Sequence, residues 1–302
     1  MRALLLFLAR QEGFKNFALN FRFFRNTASR FVAGETVDDA LRVVRQLNSR
    51  KISGTLDLLG ENTLTREDAI KSTEEVIGVL DRIQSEKVDC TVSVKLTQLG
   101  LDIDGDFTLN NLMQIARHAQ EKGNFIRVDM ENSRYTQSTL DIVARTKERF
   151  GNVGAVIQSA LRSSEQDTMR LLQKRIRIRL VKGAYLEPAN IAFRKKRDTD
   201  ANYVKLMKLL IADESYHAIA THDESIILAT EEYARSRNIP KDHFEFQMLY
   251  GIRRDLQLRL AQEGYRVRIY IPYGRRWYAY FMRRLAERPA NVAFLVRNLF
   301  KD

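Results

Sequence analysis

Segments that read as β-strands alternate with amphipathic segments that read as α-helices along most of the chain. The predicted strands are Ser53–Leu59, Asp89–Thr97, Phe125–Asp129, Val153–Gln158, Ile176–Val181, His217–Thr221, Phe244–Gln247 and Val267–Ile271. A helical stretch follows each strand, so the pattern predicts a parallel sheet closed into a (βα)8 barrel of the TIM type. An open doubly wound sheet is the alternative, but its glycine-rich dinucleotide fingerprint is missing after the first strand.

Several of the predicted strands carry aliphatic residues on one face and polar residues on the other. In the second strand, Val92 and Val94 share one face, whereas Ser93 and Lys95 share the other. One aliphatic face is enough to pack the outer helices, so we expect the polar face to point into the barrel. Barrel enzymes have their active sites at the C-terminal strand ends. The candidate residues there are Lys95, Asp129, Gln158, Arg179, His222 and Tyr270.

Each candidate also has an ordinary structural explanation. Lys95 and Asp129 could form a structural ion pair, Gln158 could cap a loop, and His222 could be a core histidine. Buried charges are costly unless they are paired or bind a ligand, so their occurrence at corresponding strand positions favours a site.

The two ends of the chain have distinct patterns. We expect residues 1–50 to form an N-terminal helical arm and residues 51–302 the catalytic barrel. The sequence Thr36–Asp39 resembles a capping box that opens a helix. The arm carries an aromatic stripe at helical spacing, formed by Phe14, Phe17, Phe21 and Phe24.

Near the C-terminus, a predicted helix carries Tyr280, Arg283, Arg284 and Glu287 on one face. Two neighbouring guanidinium groups can bind a carboxylate or a phosphate through several charge-assisted hydrogen bonds. Taken alone, this pattern is more typical of a solvated helix face.

Composition and charge limit the classes of function that the chain can have. The 302 residues carry a formal charge of +12, but the basic residues are spread along the chain and zinc-ligand spacing and RNA-binding signatures are absent from the sequence. A single cysteine, Cys90, excludes an intramolecular disulfide and a cysteine-based metal cluster. The apolar start is too short for a membrane span and lacks a clear cleavage site. We therefore expect a cytoplasmic protein without a metal, peripheral to the membrane at most.

Several stretches together resemble the bacterial monofunctional proline dehydrogenases, which are flavoenzymes with a distorted (βα)8 barrel. The matching stretches begin at Ser93, Val128, Arg179, Ala220, Glu245 and Tyr273, and they read SVKLTQLG, VDME, RLVKGAY, ATHD, EFQMLYG and YGRRWY, the last continuing through RRLAERP at 283–289. They occur in the family's order and cover nearly the whole chain. Leu186 departs from the pattern, because tryptophan is common after the tyrosine.

The resemblance implies oxidation of L-proline to Δ1-pyrroline-5-carboxylate with non-covalent FAD, and a quinone as electron acceptor, with self-association into a homo-oligomer left open. It implies catalytic roles for Asp129 and Arg179. It assigns substrate binding to Lys95, Tyr185, Leu249, Tyr270, Tyr280, Arg283 and Arg284. It assigns cofactor binding to Met130, Gln158, Arg179, Lys182, Gly183, Ala184, Thr221 and His222.

Two alternatives stay open at this point. One is a flavoenzyme of the same fold that acts on another cyclic amino acid, such as hydroxyproline. The other is a non-catalytic basic barrel that binds anionic ligands or nucleic acid.

Overall fold

The structure, a computed structural model, describes residues 28–60, 62–278 and 280–282 of the chain. Eight parallel strands close into a barrel in chain order, and β8 pairs with β1. The strands are β1 (Ser53–Leu58), β2 (Cys90–Val94), β3 (Ile126–Val128), β4 (Val153–Gln158), β5 (Arg177–Val181), β6 (His217–Ala220), β7 (Phe244–Leu249) and β8 (Arg266–Tyr273). The closed barrel confirms the predicted fold class, and the open-sheet alternative is wrong.

The longer helices alternate with these strands. They are α1 (Val37–Asn48), α2 (Arg66–Glu86), α3 (Gly105–Glu121), α4 (Thr136–Lys147), α5 (Ser164–Gln173), α6 (Lys196–Ala212), α7 (Glu224–Ser236) and α8 (Arg254–Gln262). Two short 3-10 turns, Leu96–Gln98 and Ser133–Tyr135, follow β2 and β3. The first of them explains why β2 ends three residues earlier than predicted, since the chain turns directly after Lys95.

Helix α1 begins with the predicted capping box. The Thr36 hydroxyl accepts a hydrogen bond from the Asp39 amide, and the Asp39 carboxylate accepts one from the Thr36 amide. Its buried residues Leu41 and Val44 pack against the barrel at β1 and β8. The proposed arm boundary at residue 50 stays a prediction, and the aromatic stripe lies outside the described residues.

The segment before α1 crosses the C-terminal ends of the last two strands. The Ala33 amide donates to the Pro272 carbonyl at 2.9 Å, and the Gly274 amide donates to the Gly34 carbonyl at 2.9 Å. Gly251 adopts a φ of +77°, and a Cβ there would lie 1.6 Å from the Arg30 carbonyl oxygen. Only glycine therefore allows this close crossing.

The strand register agrees with the predicted division into an aliphatic and a polar face. Ile126 and Ile178 are fully buried in the core cluster. The polar residues that alternate with them, Arg127 and Arg179, are also buried, each about 5% exposed. Because both faces are covered, the polar side chains must find partners inside the barrel.

At the N-terminal end of the barrel, Glu245 supplies such a partner. Its carboxylate accepts hydrogen bonds from Arg268 Nε, at 3.0 and 3.1 Å, and from the Tyr216 hydroxyl, at 3.0 Å. Burial raises the pKa of Tyr216, so this hydroxyl stays a donor. The opposite end of the barrel carries a second polar cluster.

Cys90 is buried, and burial raises the pKa of its thiol to about 12, which is typical of an unreactive packing residue. Among the described helices, none is long and apolar enough to cross a membrane.

Candidate active site

Asp129 and Arg179 form a buried ion pair at the C-terminal end of the barrel. Asp129 directly follows β3 and Arg179 lies in β5, and Arg179 Nη1 donates to Asp129 Oδ1 at 2.7 Å. Arg179 Nη2 donates to the Ser93 hydroxyl of β2 at 3.0 Å. The guanidinium group thus spans the barrel interior and joins three strands.

The second oxygen of Asp129 is held by a residue of β8, three strands away around the barrel. The Tyr270 hydroxyl of β8 donates to Asp129 Oδ2 at 2.6 Å, and the Arg179 guanidinium carbon lies 5.3 Å from the centre of the Tyr270 ring. Burial and the Asp129 charge raise the pKa of Tyr270 well above its ordinary value. Tyr270 therefore stays protonated and donates.

Lys95 adds a cation to the same cluster. Its ammonium group pairs with Asp57, a β1 carboxylate that is 1% exposed, and lies 4.0 Å from Asp129 Oδ2. Burial opposes the charge of Lys95, but the nearby carboxylates of Asp57 and Asp129 outweigh it and raise the pKa. The ordinary ion-pair explanation for Lys95 and Asp129 thus needs revision, because the closer partner is Asp57.

Glu131 connects the end of β3 to its two neighbouring strands. The Thr97 hydroxyl donates to Glu131 Oε1 at 2.8 Å, and Gln158 Nε2 donates to the Glu131 carbonyl at 2.7 Å. Burial raises the pKa of the Glu131 carboxyl. The bond to the Glu131 carbonyl holds Gln158 in a fixed orientation beside the Asp129 cluster.

Beyond β5, Lys182 binds two carboxylates. Its ammonium nitrogen lies 2.6 Å from Asp200 Oδ1 in α6 and 2.8 Å from Asp223 Oδ2, at the N-terminus of α7. The hydrogen bond from Lys182 strongly lowers the pKa of Asp223. This pairing fixes the start of the connection between β5 and α6.

That connection, residues 182–195, runs along the rim of the barrel. Gly183 adopts a φ of +106°, and a Cβ there would lie 2.8 Å from Gln158 Oε1. Ala184 is exposed, Tyr185 is 46% exposed, and Leu186 is 77% exposed. The glycine lets the backbone pass close to Gln158 while the next residues face outward.

The β6 and β7 ends contribute the predicted residues Thr221, His222 and Leu249. The Leu249 amide donates to His222 Nε2 at 2.9 Å, so this nitrogen is an acceptor. The Thr221 hydroxyl accepts from the Asp223 amide at 3.0 Å. His222 is thus a residue of the rim and not of the packed core.

The described start of the last helix packs onto the same end of the barrel. Residues 277 and 278 are already helical, so the helix begins before the predicted position 280. Phe281 contacts Trp277 and Phe31, at ring-centre distances of 6.1 and 6.2 Å, and Tyr280 is buried. Arg283, Arg284 and Glu287 lie outside the described residues.

The geometry therefore brings together four of the six predicted strand-end residues in one network, namely Lys95, Asp129, Arg179 and Tyr270. Gln158 and His222 lie on neighbouring parts of the rim. Among the described residues, no group of three or more His, Cys, Asp and Glu side chains is arranged to hold a metal ion.

Comparison with known proteins shows which family the chain is similar to. The family model described as proline dehydrogenase matches residues 40–297. The chain is 40% identical over 301 residues to proline dehydrogenase 1 of Bacillus subtilis subsp. natto, covering 100% of this chain and 99% of the relative. It is 44% identical over 281 residues to the proline dehydrogenase of Deinococcus radiodurans, covering 91% of each chain.

The chain belongs to the proline dehydrogenase family. It is a proline-oxidising enzyme, and membership of the family implies a flavin cofactor. A solved structure supports the same fold: proline utilization A from Bdellovibrio bacteriovorus, inactivated by N-propargylglycine, matches with a TM-score of 0.84 and 28% identity. That match covers 92% of this chain and 34% of the other.

In this proline dehydrogenase family member, a cavity of about 850 Å³ lies beside β1 and α2, and Leu58, Lys71 and Gln98 are among the residues that line it. Neither Asp129 nor Arg179 is among its described lining residues. The buried charges that converge at the strand ends are therefore the stronger candidate for the active site than this cavity is.

Sequence reasoning missed three residues that hold the network. Asp57 lies on the polar face of β1, two residues after Thr55, so the alternation that identified Lys95 could also have identified it. Ser93 was placed on the correct face but was not predicted to bind Arg179. The double role of Glu131, through its carboxylate and its backbone carbonyl, leaves no signal in a sequence.

Proposed function

We propose that the chain catalyses the FAD-dependent oxidation of L-proline to Δ1-pyrroline-5-carboxylate, the first step in proline degradation to glutamate, and passes the electrons to a quinone. The observation that carries the proposal is the Asp129 carboxylate held by Arg179 and Tyr270, with Lys95 beside it, at the C-terminal end of the barrel. Charges buried at this end of a barrel are typical of catalytic residues.

The charges suit a zwitterionic substrate. Proline carries a carboxylate and a ring ammonium group, and the site offers the cations Lys95 and Arg179 as well as the anion Asp129. In the proposal, Lys95 binds the proline carboxylate together with Arg283 and Arg284, whose part rests on the sequence resemblance. Cations that bind the carboxylate also fix the position of the ring.

Four residues are proposed to enclose the ring of the substrate. Tyr270 lies within the network, Leu249 ends β7, and Tyr185 lies on the rim. Tyr280 is buried and belongs to the helix that packs on this end of the barrel. An apolar enclosure excludes water and strengthens the electrostatic contacts within the site.

The rim residues fit a flavin. At Gly183 a side chain would collide with Gln158, and the following exposed residues leave the backbone accessible to a ligand. Donors and acceptors suited to a heterocycle with a phosphate tail converge on the same edge. In the proposal, FAD is held by Met130, Gln158, Arg179, Lys182, Gly183, Ala184, Thr221 and His222.

The reaction removes a hydride from C5, the ring carbon that adjoins the nitrogen but carries no carboxylate, and releases a proton from the nitrogen to solvent, so that a C=N bond forms. Bound flavin supplies the hydride acceptor, and the task of the protein is mainly orientation. Arg179 is fixed by both Asp129 and Ser93, so it keeps its place while the substrate changes charge. Asp129 attracts the ring ammonium group and orients the reacting carbon.

The remaining parts of the proposal concern the periphery of the enzyme. Residues 1–50 form the N-terminal helical arm and residues 51–302 the catalytic barrel. The formal charge of +12 suits transient contact with an anionic membrane surface, where a quinone would be reached. These features support a cytoplasmic enzyme that is peripheral at the membrane face.

Substrate comparison tests the proposal. The purified enzyme should reduce an artificial electron acceptor with L-proline and do so at least tenfold more slowly with 4-hydroxy-L-proline, because an added hydroxyl needs a partner in an enclosed site. N-propargylglycine, which inactivated the Bdellovibrio protein, should inactivate this enzyme, and L-proline should protect it. Faster turnover of hydroxyproline would assign the enzyme to that substrate instead.

A further inference from the structure

The 3-10 turn Ser133–Tyr135, called the rim turn below, contacts two other connections at the barrel mouth and is linked to a third through Asp102. On one side, the Tyr135 hydroxyl donates to both oxygens of Asp102, at 2.8 and 2.9 Å, and Asn62 Nδ2 donates to the same carboxylate at 3.0 Å. These bonds tie the rim turn to the connections that follow β1 and β2.

On its other side, the rim turn holds the connection that follows β5. The Ser133 amide donates to Glu187 Oε1 at 2.7 Å, and the Ser133 hydroxyl donates to Glu187 Oε2. Ser133 begins the 3-10 turn that leads directly into α4, so the carboxylate also faces the positive end of a helix. Bonds from a helix end to a charged carboxylate are among the stronger hydrogen bonds in proteins.

Glu187 lies midway along a loop whose two ends are also held by hydrogen bonds. At the first end, the Ala160 amide donates to the Lys182 carbonyl at 2.9 Å. At the second end, the Arg162 amide donates to the Ile191 carbonyl at 2.9 Å. Residues 183–186 are exposed and directly precede Glu187, so the bonds between Glu187 and Ser133 restrict where this stretch can lie.

We propose that Glu187 is a positioning residue for proline oxidation, and that its bonds to Ser133 hold residues 183–186 in place over the barrel mouth. The inference rests on the proposed function, in which Gly183, Ala184 and Tyr185 contact the flavin and the substrate. Glu187 itself does not touch the reacting atoms. Without its bonds, residues 183–186 sample more conformations, and the additional ordering on ligand binding costs binding free energy.

Four variants of the full-length holoenzyme test the proposal. Glu187→Ala removes both bonds, Ser133→Ala removes one, and Glu187→Gln keeps an acceptor for the amide. Tyr135→Phe is the matched control, because it removes the bond from the same rim turn to Asp102 and leaves Glu187 in place. Melting temperature, flavin dissociation constant, proline KM and kcat, and tryptic cleavage after Lys182 and Arg194 are measured for each.

For Glu187→Ala we expect the proline KM and the flavin dissociation constant to rise about tenfold each, as the loss of a charged hydrogen bond implies. We expect kcat to fall less than threefold, the melting temperature to stay close to wild type, and cleavage within 183–195 to accelerate. Ser133→Ala and Glu187→Gln should show smaller changes of the same kind. The double variant Ser133→Ala/Glu187→Ala should have the same KM and flavin dissociation constant as Glu187→Ala, because Glu187→Ala alone already removes both bonds to Ser133.

Two results would overturn the proposal. One is a Glu187→Ala enzyme with wild-type KM, flavin affinity and loop cleavage. The other is a lowered melting temperature with loop cleavage rising only as global unfolding does, which would indicate a purely structural residue. A wild-type enzyme that does not oxidise proline would reject the proposed function. Tryptic cleavage is measured without proline turnover, so the cleavage rates would still decide whether Glu187 holds residues 183–186.

Discussion

At the scale of single residues, the site depends on how each buried charge is held. Asp129 receives one bond from Arg179 and one from Tyr270, and Lys95 lies between Asp57 and Asp129. Each partner comes from a different strand, so removing one side chain changes the orientation of the others. We therefore expect such variants to change catalysis as well as stability.

Tyr270→Phe tests the bond to Asp129. The phenyl ring keeps its place beside Arg179, but Asp129 loses a donor, so we expect kcat/KM for proline to fall by about tenfold to a hundredfold. Tyr216→Phe is the control, since its hydroxyl donates to the buried Glu245 at the other end of the barrel. It should lower stability without changing proline kinetics. Equal kinetic effects in both variants would contradict a specific role for Tyr270.

Lys95→Met tests whether Lys95 binds the substrate or only neutralises the buried Asp57. We expect the proline KM to rise more than tenfold, and the free energy of unfolding to fall by about 3 kcal/mol, because Asp57 is left buried without its cation. The double variant Asp57→Asn/Lys95→Met should recover much of the stability but not the KM. Recovery of both would mean that Lys95 has only a structural role.

At the scale of elements, the strand pattern predicted which residues would meet, but not how the connections would be arranged. Period-two alternation placed Lys95, Arg179 and Tyr270 on the interior face because strand geometry fixes the side of each residue. The rim depends instead on long-range bonds, such as that between Ser133 and Glu187, which are 54 residues apart. Local sequence carries no signal for such pairs.

Gly183→Ala tests the course of the connection after β5. A Cβ would meet Gln158 Oε1 at 2.8 Å, so Gln158 must shift, and we expect the flavin dissociation constant to rise at least tenfold. Gly123→Ala is the matched control, because Gly123 also has a positive φ, of +64°, but a Cβ there meets nothing within 4 Å. It should cost about 1 kcal/mol of backbone strain and leave flavin binding unchanged. Similar flavin losses in both variants would assign the effect to strain alone.

At the scale of the whole molecule, the fold was predictable because eight local patterns each specified one strand and one helix. Closure of the barrel then brought Asp57 beside Lys95 and Tyr270 beside Asp129, from residues 38 and 141 positions apart. The carboxylate-binding role of Arg283 and Arg284 stays a prediction, since these residues lie outside the described part of the chain.

His217 makes the stability of the barrel depend on pH. Its Nδ1 accepts from the Ile178 amide and its Nε2 lies 3.0 Å from Asp213 Oδ2, so the neutral ring satisfies both contacts. Burial lowers the pKa of His217 to about 4. In the unfolded chain this histidine has a pKa near 6.5, so between about pH 4 and pH 6.5 the unfolded chain binds more protons than the folded protein does. The contribution of His217 to stability is therefore full above about pH 6.5 and decreases as the pH falls toward 4.

Urea unfolding at several pH values measures this effect. We expect the wild-type free energy of unfolding to fall by a few kcal/mol between about pH 6.5 and pH 4. His217→Asn, which keeps an acceptor for the Ile178 amide and does not titrate, should be less stable at pH 8 but lose less on acidification. Parallel pH curves for the two proteins would show that His217 does not set the dependence.

The central claim is that the network around Asp129 oxidises proline with a bound flavin, and anaerobic titration of the holoenzyme tests it most directly. L-proline should bleach the visible flavin absorption of the wild-type enzyme without any other reductant. Asp129→Asn should retain the flavin but be bleached at least a hundredfold more slowly, because the carboxylate charge is lost. A purified wild-type protein that takes up no flavin, or whose bound flavin stays oxidised in excess proline, would contradict the account.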